Sequence, residues 1–265
     1  MFSLRSARIL ILAAMTITAV SCSKDPLPEQ VVQPQPQSKT LLHIIEQDPF
    51  NYVSLDYTTD SLVQKFKMQI DTYSQEVTYV YGANKKPVQA LFDGLKANYT
   101  YNGGTLDKVE YINAGNPNNT VLSYVKFDYL GTNPMLARVY SKQGNSYVEI
   151  TEIVYEYYNN GDLKTMTTLD RTAPDHFEMS EFVTYEYDTK PNPLKISDEA
   201  LLILFLNNPK HNITKERHYD SQARLVETNT YTYQYDTAGY PVKGVETSEY
   251  ATGPASTRNI TYKYK

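Results

Sequence analysis

The sequence has few of the residues that build common catalytic and metal sites. Its 265 residues include one Cys, four His, no Trp and only 8 Phe. A single Cys excludes a disulfide framework within the chain. The chain also lacks a Gly-rich phosphate loop, a Gly-x-Ser-x-Gly elbow and a His-Glu-x-x-His helix. These are the commonest signatures of nucleotide-binding proteins, hydrolases and metalloproteases, so we expect no cofactor, no metal ion and no enzymatic activity.

Basic residues are also too few to form a nucleic-acid interface. The chain has 25 Lys and Arg against 30 Asp and Glu, a net charge of -5. No basic stripe is available for a phosphate backbone, and we therefore expect no nucleic-acid partner. Tyrosine, by contrast, is abundant at 25 residues, and 41% of the chain is hydrophobic. This apolar fraction indicates a folded protein rather than a disordered chain or a polytopic membrane protein.

The first 21 residues have the form of an export signal. Arg5 and Arg8 precede a largely apolar run from Ile9 to Val20, which is too short to cross a bilayer because about 20 residues are needed. The sequence Ala19-Val20-Ser21-Cys22 resembles the lipobox of bacterial lipoproteins. That resemblance implies lipidation of Cys22 after removal of residues 1–21. A plain secretory signal that ends near a cysteine is the alternative.

Residues 22–39 are predicted to be the lipidated Cys and a flexible tether. The segment from Pro26 to Ser38 is rich in Pro and Gln and has no aromatic residue, as is typical of an extended linker. Ser23 and Lys24 follow Cys22, a pattern that by the same resemblance favours the outer membrane, on its periplasmic side or at the cell surface. Acyl chains anchor a protein without crossing the bilayer. We therefore expect a membrane partner through the N-terminal lipid, and a monomeric folded part.

More than half of the tyrosines lie in closely spaced repeats. Leu or Pro follows five or six residues after the last aromatic residue of each repeat except Tyr262/Tyr264, with Gly or Asn in most of the intervening turns. Short loops of this composition between alternating strands predict β-hairpins. The repeats are Tyr79/Tyr81, Tyr99/Tyr101, Tyr155/Tyr157, Tyr185/Tyr187, Tyr231/Tyr233/Tyr235 and Tyr262/Tyr264.

Alternation within these repeats predicts the fold class. In the stretch from Val183 to Tyr187, apolar or aromatic residues alternate with polar ones, which is the period of an antiparallel strand with one buried face. We predict that residues 40–265 form a single, mainly β domain of about fifteen to eighteen strands. A sheet this wide cannot stay flat. The long meander of hairpins should therefore form a strongly curved sheet or half-barrel.

One segment departs from the hairpin pattern. Ser197, Asp198 and Glu199 precede an apolar run from Leu201 to Leu206, and Asn207-Asn208-Pro209 follows it. A Ser cap, acids in the first turn and an Asn-Pro stop predict a short buried helix near 197–207. A buried strand is the alternative for so short an apolar run.

The repeats resemble a known family. The sequence from Tyr235 to Pro241 reads Tyr-Asp-Thr-Ala-Gly-Tyr-Pro and is similar to the Tyr-Asp-x-x-Gly-x-Leu/Pro unit of the YD repeats in Rhs-type and teneurin shells. With the apolar segment between Asn192-Pro193 and Asn207-Asn208, residues 50–265 resemble an uncharacterised family of Gram-negative lipoproteins with YD-like hairpins and one helical insertion. The resemblance implies hairpins in an envelope protein and no particular chemistry.

Tyrosine is also the first candidate for function. We expect the Tyr-x-Tyr pairs to form the core, with hydroxyls that reach water at the sheet edge. Tyr158 and Tyr240 lie in turns with the opposite phase, and we predict that they are exposed ligand contacts, because Tyr is enriched at binding surfaces. A glycan or an envelope protein is the expected ligand.

Other candidate residues are dispersed along the chain. His43, His176, His211 and His218 do not have metal-ligand spacing, and Glu178 and Glu181 with Asp175 could supply an acid pair of the glycosidase kind. The leading hypothesis is a lipid-anchored, non-catalytic binding or scaffold module at the outer membrane. A polysaccharide hydrolase and a lipid carrier are the alternatives.

Overall fold

The computed structural model describes residues 41–45, 51–70, 72–115, 118, 120–194, 199–200 and 209–264. The predicted signal peptide, Cys22 and the tether lie outside these residues. Within the described part of the chain, no helix is long and apolar enough to span a membrane.

The described residues form sixteen antiparallel strands. Each strand pairs with the next one in sequence. The strands are β1 (Leu41–Ile45), β2 (Tyr52–Tyr57), β3 (Val63–Ile70), β4 (Tyr73–Tyr81), β5 (Pro87–Phe92), β6 (Leu95–Asn102), β7 (Thr105–Asn113), β8 (Val121–Leu130), β9 (Asn133–Gln143), β10 (Ser146–Tyr157), β11 (Leu163–Ala173), β12 (His176–Pro191), β13 (His211–Tyr219), β14 (Leu225–Tyr235), β15 (Pro241–Tyr250) and β16 (Ser256–Tyr264).

The meander predicted from the repeats is confirmed, and it extends round a full circle. Strands β2 to β16 form the continuous antiparallel sheet, and β1 pairs with β2 on one side and with β16 on the other. The strand order is therefore that of a closed barrel. The sequence predicts a half-barrel rather than a closed one, because β1 precedes the first tyrosine repeat. Strand β1 contains no tyrosine that would indicate its pairing with β16.

The two ends of the barrel differ. The turns that follow β2, β4, β6, β8, β10 and β14 lie at one end, together with the insertion between β12 and β13. We call this the tyrosine end, because the Tyr-x-Tyr pairs lead into it. The turns that follow β13 and β15 lie at the opposite end, which we call the far end.

The short buried helix predicted near 197–207 is not confirmed. Of that segment only Glu199 and Ala200 are described, with helical backbone conformation, and the rest lies outside the described residues. Ala200 and Leu194 are buried members of the core. The described part of the insertion therefore enters the barrel interior, although its apolar composition alone did not define its secondary structure.

The prediction that the Tyr-x-Tyr pairs form the core is confirmed. The first tyrosine of most pairs is buried inside the barrel, and small residues lie opposite large ones across the sheet. Tyr79 pairs with Ala90, Tyr111 with Ala97, and Phe127 with Ala137. Such alternation of large and small side chains is how narrow barrels fill their interior. The buried first tyrosines are Tyr79, Tyr99, Tyr155, Tyr231 and Tyr262.

The hydroxyls of the second tyrosines do not end in water at the sheet edge, as the sequence suggested. Four of them donate a hydrogen bond to the carbonyl of the first residue in the preceding odd-numbered strand. We call these bonds the tyrosine clasps. Each ring lies over the neighbouring hairpin, so that the hydroxyl reaches its backbone. The clasps are Tyr81 to Val63 (2.6 Å), Tyr101 to Pro87 (2.7 Å), Tyr187 to Leu163 (2.8 Å) and Tyr264 to Pro241 (2.6 Å).

Five of the described turns share one backbone geometry. The fourth residue after the last aromatic residue has a positive φ, and its N–H donates to the carbonyl three residues earlier. In β-branched and other non-Gly residues this left-handed conformation costs about 1 kcal/mol. The five positions are Ser61 (φ 62°), Lys85 (φ 62°), Gly161 (φ 90°), Ala223 (φ 56°) and Gly239 (φ 83°).

We expect substitutions at this position to change stability in opposite directions. Gly239→Ala should lower the free energy of unfolding by about 1 kcal/mol, and Ala223→Gly should raise it by about 0.5 kcal/mol. Urea unfolding of the full chain measures both. Gly115→Ala is the control, because Gly115 has no positive φ and, among the described residues, an added Cβ meets only Asn113 Oδ1 at 3.5 Å. If Gly239→Ala cost no more than this control, the conformational explanation would be wrong.

Candidate functional site

The barrel interior is not apolar throughout. On β12 to β16, toward the far end, inward positions carry charged and hydrogen-bonding side chains, and most of them are buried. These residues share a face of their strands with core residues; in β14, for example, Glu227 and Asn229 are in phase with the buried Tyr231. We call this group the polar cluster. Its members are Glu181, Glu216, His218, Glu227, Asn229, Tyr231, Glu246, Ser248 and Arg258.

Strand register brings the polar cluster together. Asn229 pairs with Glu216 on one side and with Ser248 on the other, and Glu246 lies between Tyr231 and Arg258 in the same way. Side chains that are directly opposite on one face of an antiparallel sheet are in contact distance. Residues far apart in sequence therefore form one continuous group on the inner face of the sheet.

A tyrosine hydroxyl links two carboxylates at the centre of the cluster. Tyr231 Oη lies 3.2 Å from Glu216 Oε2 and 3.3 Å from Glu246 Oε1, so it can donate its proton to either one. Glu246 is only 2% exposed, and its Oε2 forms an ion pair of 2.8 Å with Arg258 Nη2. Buried carboxylates require such partners because desolvation disfavours their charge.

His218 joins the central carboxylates to the surface. Its Nδ1 lies 3.2 Å from Glu181 Oε1, and its Nε2 lies 3.6 Å from Glu216 Oε2. The Glu181 side chain is 45% exposed and that of Arg258 is 31% exposed. The cluster therefore extends from the buried Tyr231 to solvent. In the described residues no group of three or more His, Cys, Asp or Glu has a geometry suited to a metal ion.

Chemically, the polar cluster can recognise a polar ligand or transfer protons. It offers carboxylate acceptors, the amide of Asn229, the hydroxyl of Ser248 and the Arg258 guanidinium. A few convergent polar groups in the mouth of a barrel are typical of a ligand site. The two carboxylates that share Tyr231 also meet one requirement of glycoside hydrolysis.

A second buried polar group lies at the tyrosine end and fixes the insertion. Asp162 is fully buried. Its Oδ1 accepts the N–H groups of Lys210 (2.5 Å) and His211 (3.0 Å), and its Oδ2 accepts Asn160 Nδ2 (2.8 Å) and contacts His211 Nδ1. Asp188 likewise accepts two bonds from Asn212. Asp162 and Asp188 therefore fix the start of β13, where the chain returns from the insertion. Their role there is structural.

The described residues of the insertion reach the opposite wall. The hydroxyl of Tyr79, on β4, donates to the carbonyl of Ala200 (3.1 Å), and Lys86 Nζ lies 2.7 Å from Glu199 Oε1. Strand β4 lies halfway round the barrel from β12, where the insertion begins. Glu199 and Ala200 of the insertion therefore lie at the tyrosine end, against the wall opposite β12.

The two residues predicted as exposed ligand contacts, Tyr158 and Tyr240, differ in their exposure. Tyr158 is 40% exposed, and its hydroxyl donates to the carbonyl of Tyr185 at 3.0 Å. The expected exposure of Tyr240 is wrong. It is buried, with its ring 5.9 Å from that of Tyr264, because the chain after the turn folds it back onto β16.

The predicted acid group is not brought together as one site. Glu178 lies beside the exposed His176 (3.1 Å), whereas Glu181 contacts His218. Sequence reasoning missed Glu216, Glu246 and Arg258, because a single polar residue in an alternating strand is normally assigned to the wet face. The phase of Arg258, four residues before the buried Tyr262 on the same strand, was the available signal, and Glu216 and Glu246 have no such signal.

Comparison with known proteins identifies the fold. No protein-family model matches the chain, and no curated protein matches it either. The chain is similar to the crystal structure of a porin-like protein from Bacteroides uniformis ATCC 8492, with a TM-score of 0.55 and 15% identity over 87% of this chain and 97% of that one. It is also similar to a porin-like protein from Bacteroides vulgatus ATCC 8482, with a TM-score of 0.51 and 13% identity over 86% of this chain and 99% of that one.

Proposed function

We propose that the protein is a lipid-anchored cell-envelope protein at the outer membrane that acts as a non-catalytic binding module. The polar cluster is the observation that carries the binding role, because the rest of the described core is largely aromatic and aliphatic. The lipobox-like sequence that ends at Cys22 supports the anchor. The two Bacteroides proteins of similar fold are described as porin-like, which supports an envelope location.

The outer wall supports a position beside the membrane rather than across it. Ion pairs join adjacent strands on that wall, among them Lys65 with Glu76 (2.7 Å) and Arg217 with Glu186 (2.6 Å). A lysine or arginine that faces lipid at the bilayer midplane costs about 2–4 kcal/mol. The proposal therefore assigns membrane attachment to the lipid alone, with the barrel in water.

The anchor has a direct test. Cys22→Ala should move the protein from the membrane fraction to the soluble fraction of the envelope, because one acyl-bearing residue provides the attachment. Cell fractionation with immunoblotting measures the distribution, and Ser23→Ala is the matched control. Retention of Cys22→Ala in washed membranes would contradict the anchoring proposal.

The expected ligand is a glycan or a polar segment of an envelope protein. A hydroxyl-rich ligand suits carboxylate acceptors beside a guanidinium and an amide donor. Exposed apolar side chains of Leu225, Val226 and Tyr250 lie next to the cluster at the far end, and they can cover the ligand's less polar faces. Tyr158, at the tyrosine end, stays a separate predicted contact.

Binding is tested on a glycan array and on envelope extract. We expect Glu216→Gln and Tyr231→Phe to weaken retention of any captured ligand about tenfold, since each removes a group that holds or makes a hydrogen bond in the cluster. Glu76→Gln, on the outer wall, is the control and should bind normally. A ligand held equally by all variants would place the site elsewhere.

The paired carboxylates favour a second candidate, a polysaccharide hydrolase. Glu216 and Glu246 share one phenol, and Arg258 stabilises the charge of Glu246, so one carboxylate can donate a proton while the other remains ionised. Release of reducing ends from envelope polysaccharides measures this activity. Activity that survives in both Glu216→Gln and Glu246→Gln would exclude this pair as the catalytic group.

A further inference from the structure

Three tyrosine rings lie together on the outer wall of the barrel. Tyr124 and Tyr140 are directly opposite each other on β8 and β9, and their rings stack with centroids 4.6 Å apart and planes 17° from parallel. The ring of Tyr147, on β10, lies 5.1 Å from that of Tyr124. Tyr124 is out of phase with the buried Val125 and Phe127 of its own strand, so the group faces outward. We call these three tyrosines the tyrosine patch.

Tyr147 presents one face of its ring to solvent. Its hydroxyl donates to the carbonyl of Val121, on β8, at 2.9 Å. Strand β9 separates β8 from β10, and two strand spacings amount to about 10 Å, so the ring must extend along the wall rather than away from it. Although its hydroxyl is bonded, Tyr147 remains 37% exposed. A ring that is already fixed in this way loses little conformational entropy when a ligand stacks on it.

The charged side chains around the tyrosine patch balance one another. Lys108 lies 2.6 Å from Glu110, and Arg138 Nε lies 3.3 Å from Glu152 Oε1. A balanced surround gives the patch no net charge to attract an ion, and the net charge of -5 on the whole chain disfavours a polyanion. The patch therefore suits a neutral ligand. Four cations and four carboxylates surround it: Lys108, Lys126, Arg138 and Lys142, and Glu110, Asp128, Glu149 and Glu152.

We propose that the tyrosine patch binds a neutral, extended polysaccharide of β-1,4-linked sugar rings. Such a polymer is a flat ribbon whose ring faces carry C–H groups, and one ring face stacks on the exposed face of Tyr147. The sugar hydroxyls can donate to the flanking carboxylates and accept from the flanking cations; Lys108 and Glu110, for example, are each 28% exposed. The patch is on the open outer wall, so a long polymer can lie across it. It shares no residue with the polar cluster and is a second site, independent of the function proposed above.

Native gel electrophoresis of the full chain tests the proposal with two polymers that share a backbone. Hydroxyethyl cellulose is neutral, and carboxymethyl cellulose is anionic. We expect the neutral polymer in the gel to retard the protein about tenfold more strongly than the anionic one, since like charges repel. No retardation by the neutral polymer, or equal retardation by both, would overturn the proposal.

Variants of Tyr147 locate the site. Tyr147→Ala should weaken retardation about tenfold, as expected for the loss of one aromatic contact. Tyr147→Phe keeps the ring and should bind more tightly than Tyr147→Ala. Tyr73→Ala is the matched control, because Tyr73 is a 49% exposed tyrosine on β4, and it should bind as the wild type does. Wild-type retardation of Tyr147→Ala, or equal losses in the Ala and Phe variants, would refute stacking on this ring.

Analytical ultracentrifugation distinguishes a polysaccharide site from contact between two copies of the chain. We expect the wild type and Tyr147→Ala to sediment identically as monomers. A wild-type dimer that dissociates in Tyr147→Ala would identify the tyrosine patch as a subunit interface, and the assignment to a polysaccharide would then be wrong.

Discussion

Asp162→Ala is expected to lower the free energy of unfolding by about 3–5 kcal/mol, since at least two buried donors would lose their acceptor at about 1–3 kcal/mol each. The carboxylate is fully buried and accepts the N–H groups of Lys210 and His211. Alanine offers no acceptor for these N–H groups. The loss of stability should be greatest where the chain returns from the insertion to β13.

Chemical denaturation and hydrogen exchange measure this prediction. The N–H groups of Lys210 and His211 should lose protection in Asp162→Ala. Asp170→Ala, on β11, is the control, because Asp170 is exposed and accepts a hydrogen bond from Thr151 Oγ1 at 2.8 Å; its cost should stay within about 0.5 kcal/mol. Similar costs for the two variants would show that Asp162 does not fix the insertion.

Arg258→Met should also cost about 3–5 kcal/mol, because it leaves the charge of Glu246 buried without its partner. Glu246 is 2% exposed and lies 2.8 Å from the guanidinium. Removing both charges, as in the double variant Arg258→Met/Glu246→Leu, should recover most of the lost stability, since buried ion pairs often gain little over apolar pairs.

Arg217→Met is the matched control for the buried pair. Arg217 lies 2.6 Å from Glu186 on the outer wall, where the two side chains are 32% and 49% exposed. Exposed ion pairs contribute about 0–1 kcal/mol. Urea unfolding should therefore separate the two arginine variants clearly. An equal cost, or a double variant no more stable than Arg258→Met, would contradict the description of the polar cluster as a desolvated network.

Much of the fold could be predicted because its signals are local. Period-two alternation and turns that contain Gly or Asn are properties of short segments. They correctly predict where the hairpins of the structure lie. Gly161 and Gly239 occupy the left-handed turn position that their sequence context requires. The buried tyrosine pairs follow from the same alternation.

The remaining features depend on contacts between distant segments. Closure requires β1 to pair with both β2 and β16, and no repeat in Leu41–Ile45 signals this. The burial of Tyr240 depends on the position of Tyr264 in the adjacent strand. The polar cluster was missed for a similar reason: Glu246 is an ordinary polar residue in sequence, and only the register with Tyr231 and Arg258 places it inside.

The tyrosine clasps have a consequence for how such barrels change over time. Each clasp joins a hairpin only to the one before it, as from Tyr101 to Pro87 or from Tyr187 to Leu163, so the interactions are of the nearest-neighbour kind known in repeat proteins. Duplication or loss of one hairpin would leave every other clasp intact. The circumference can therefore evolve in steps of two strands, with the closing strand free to pair with whichever hairpin comes last.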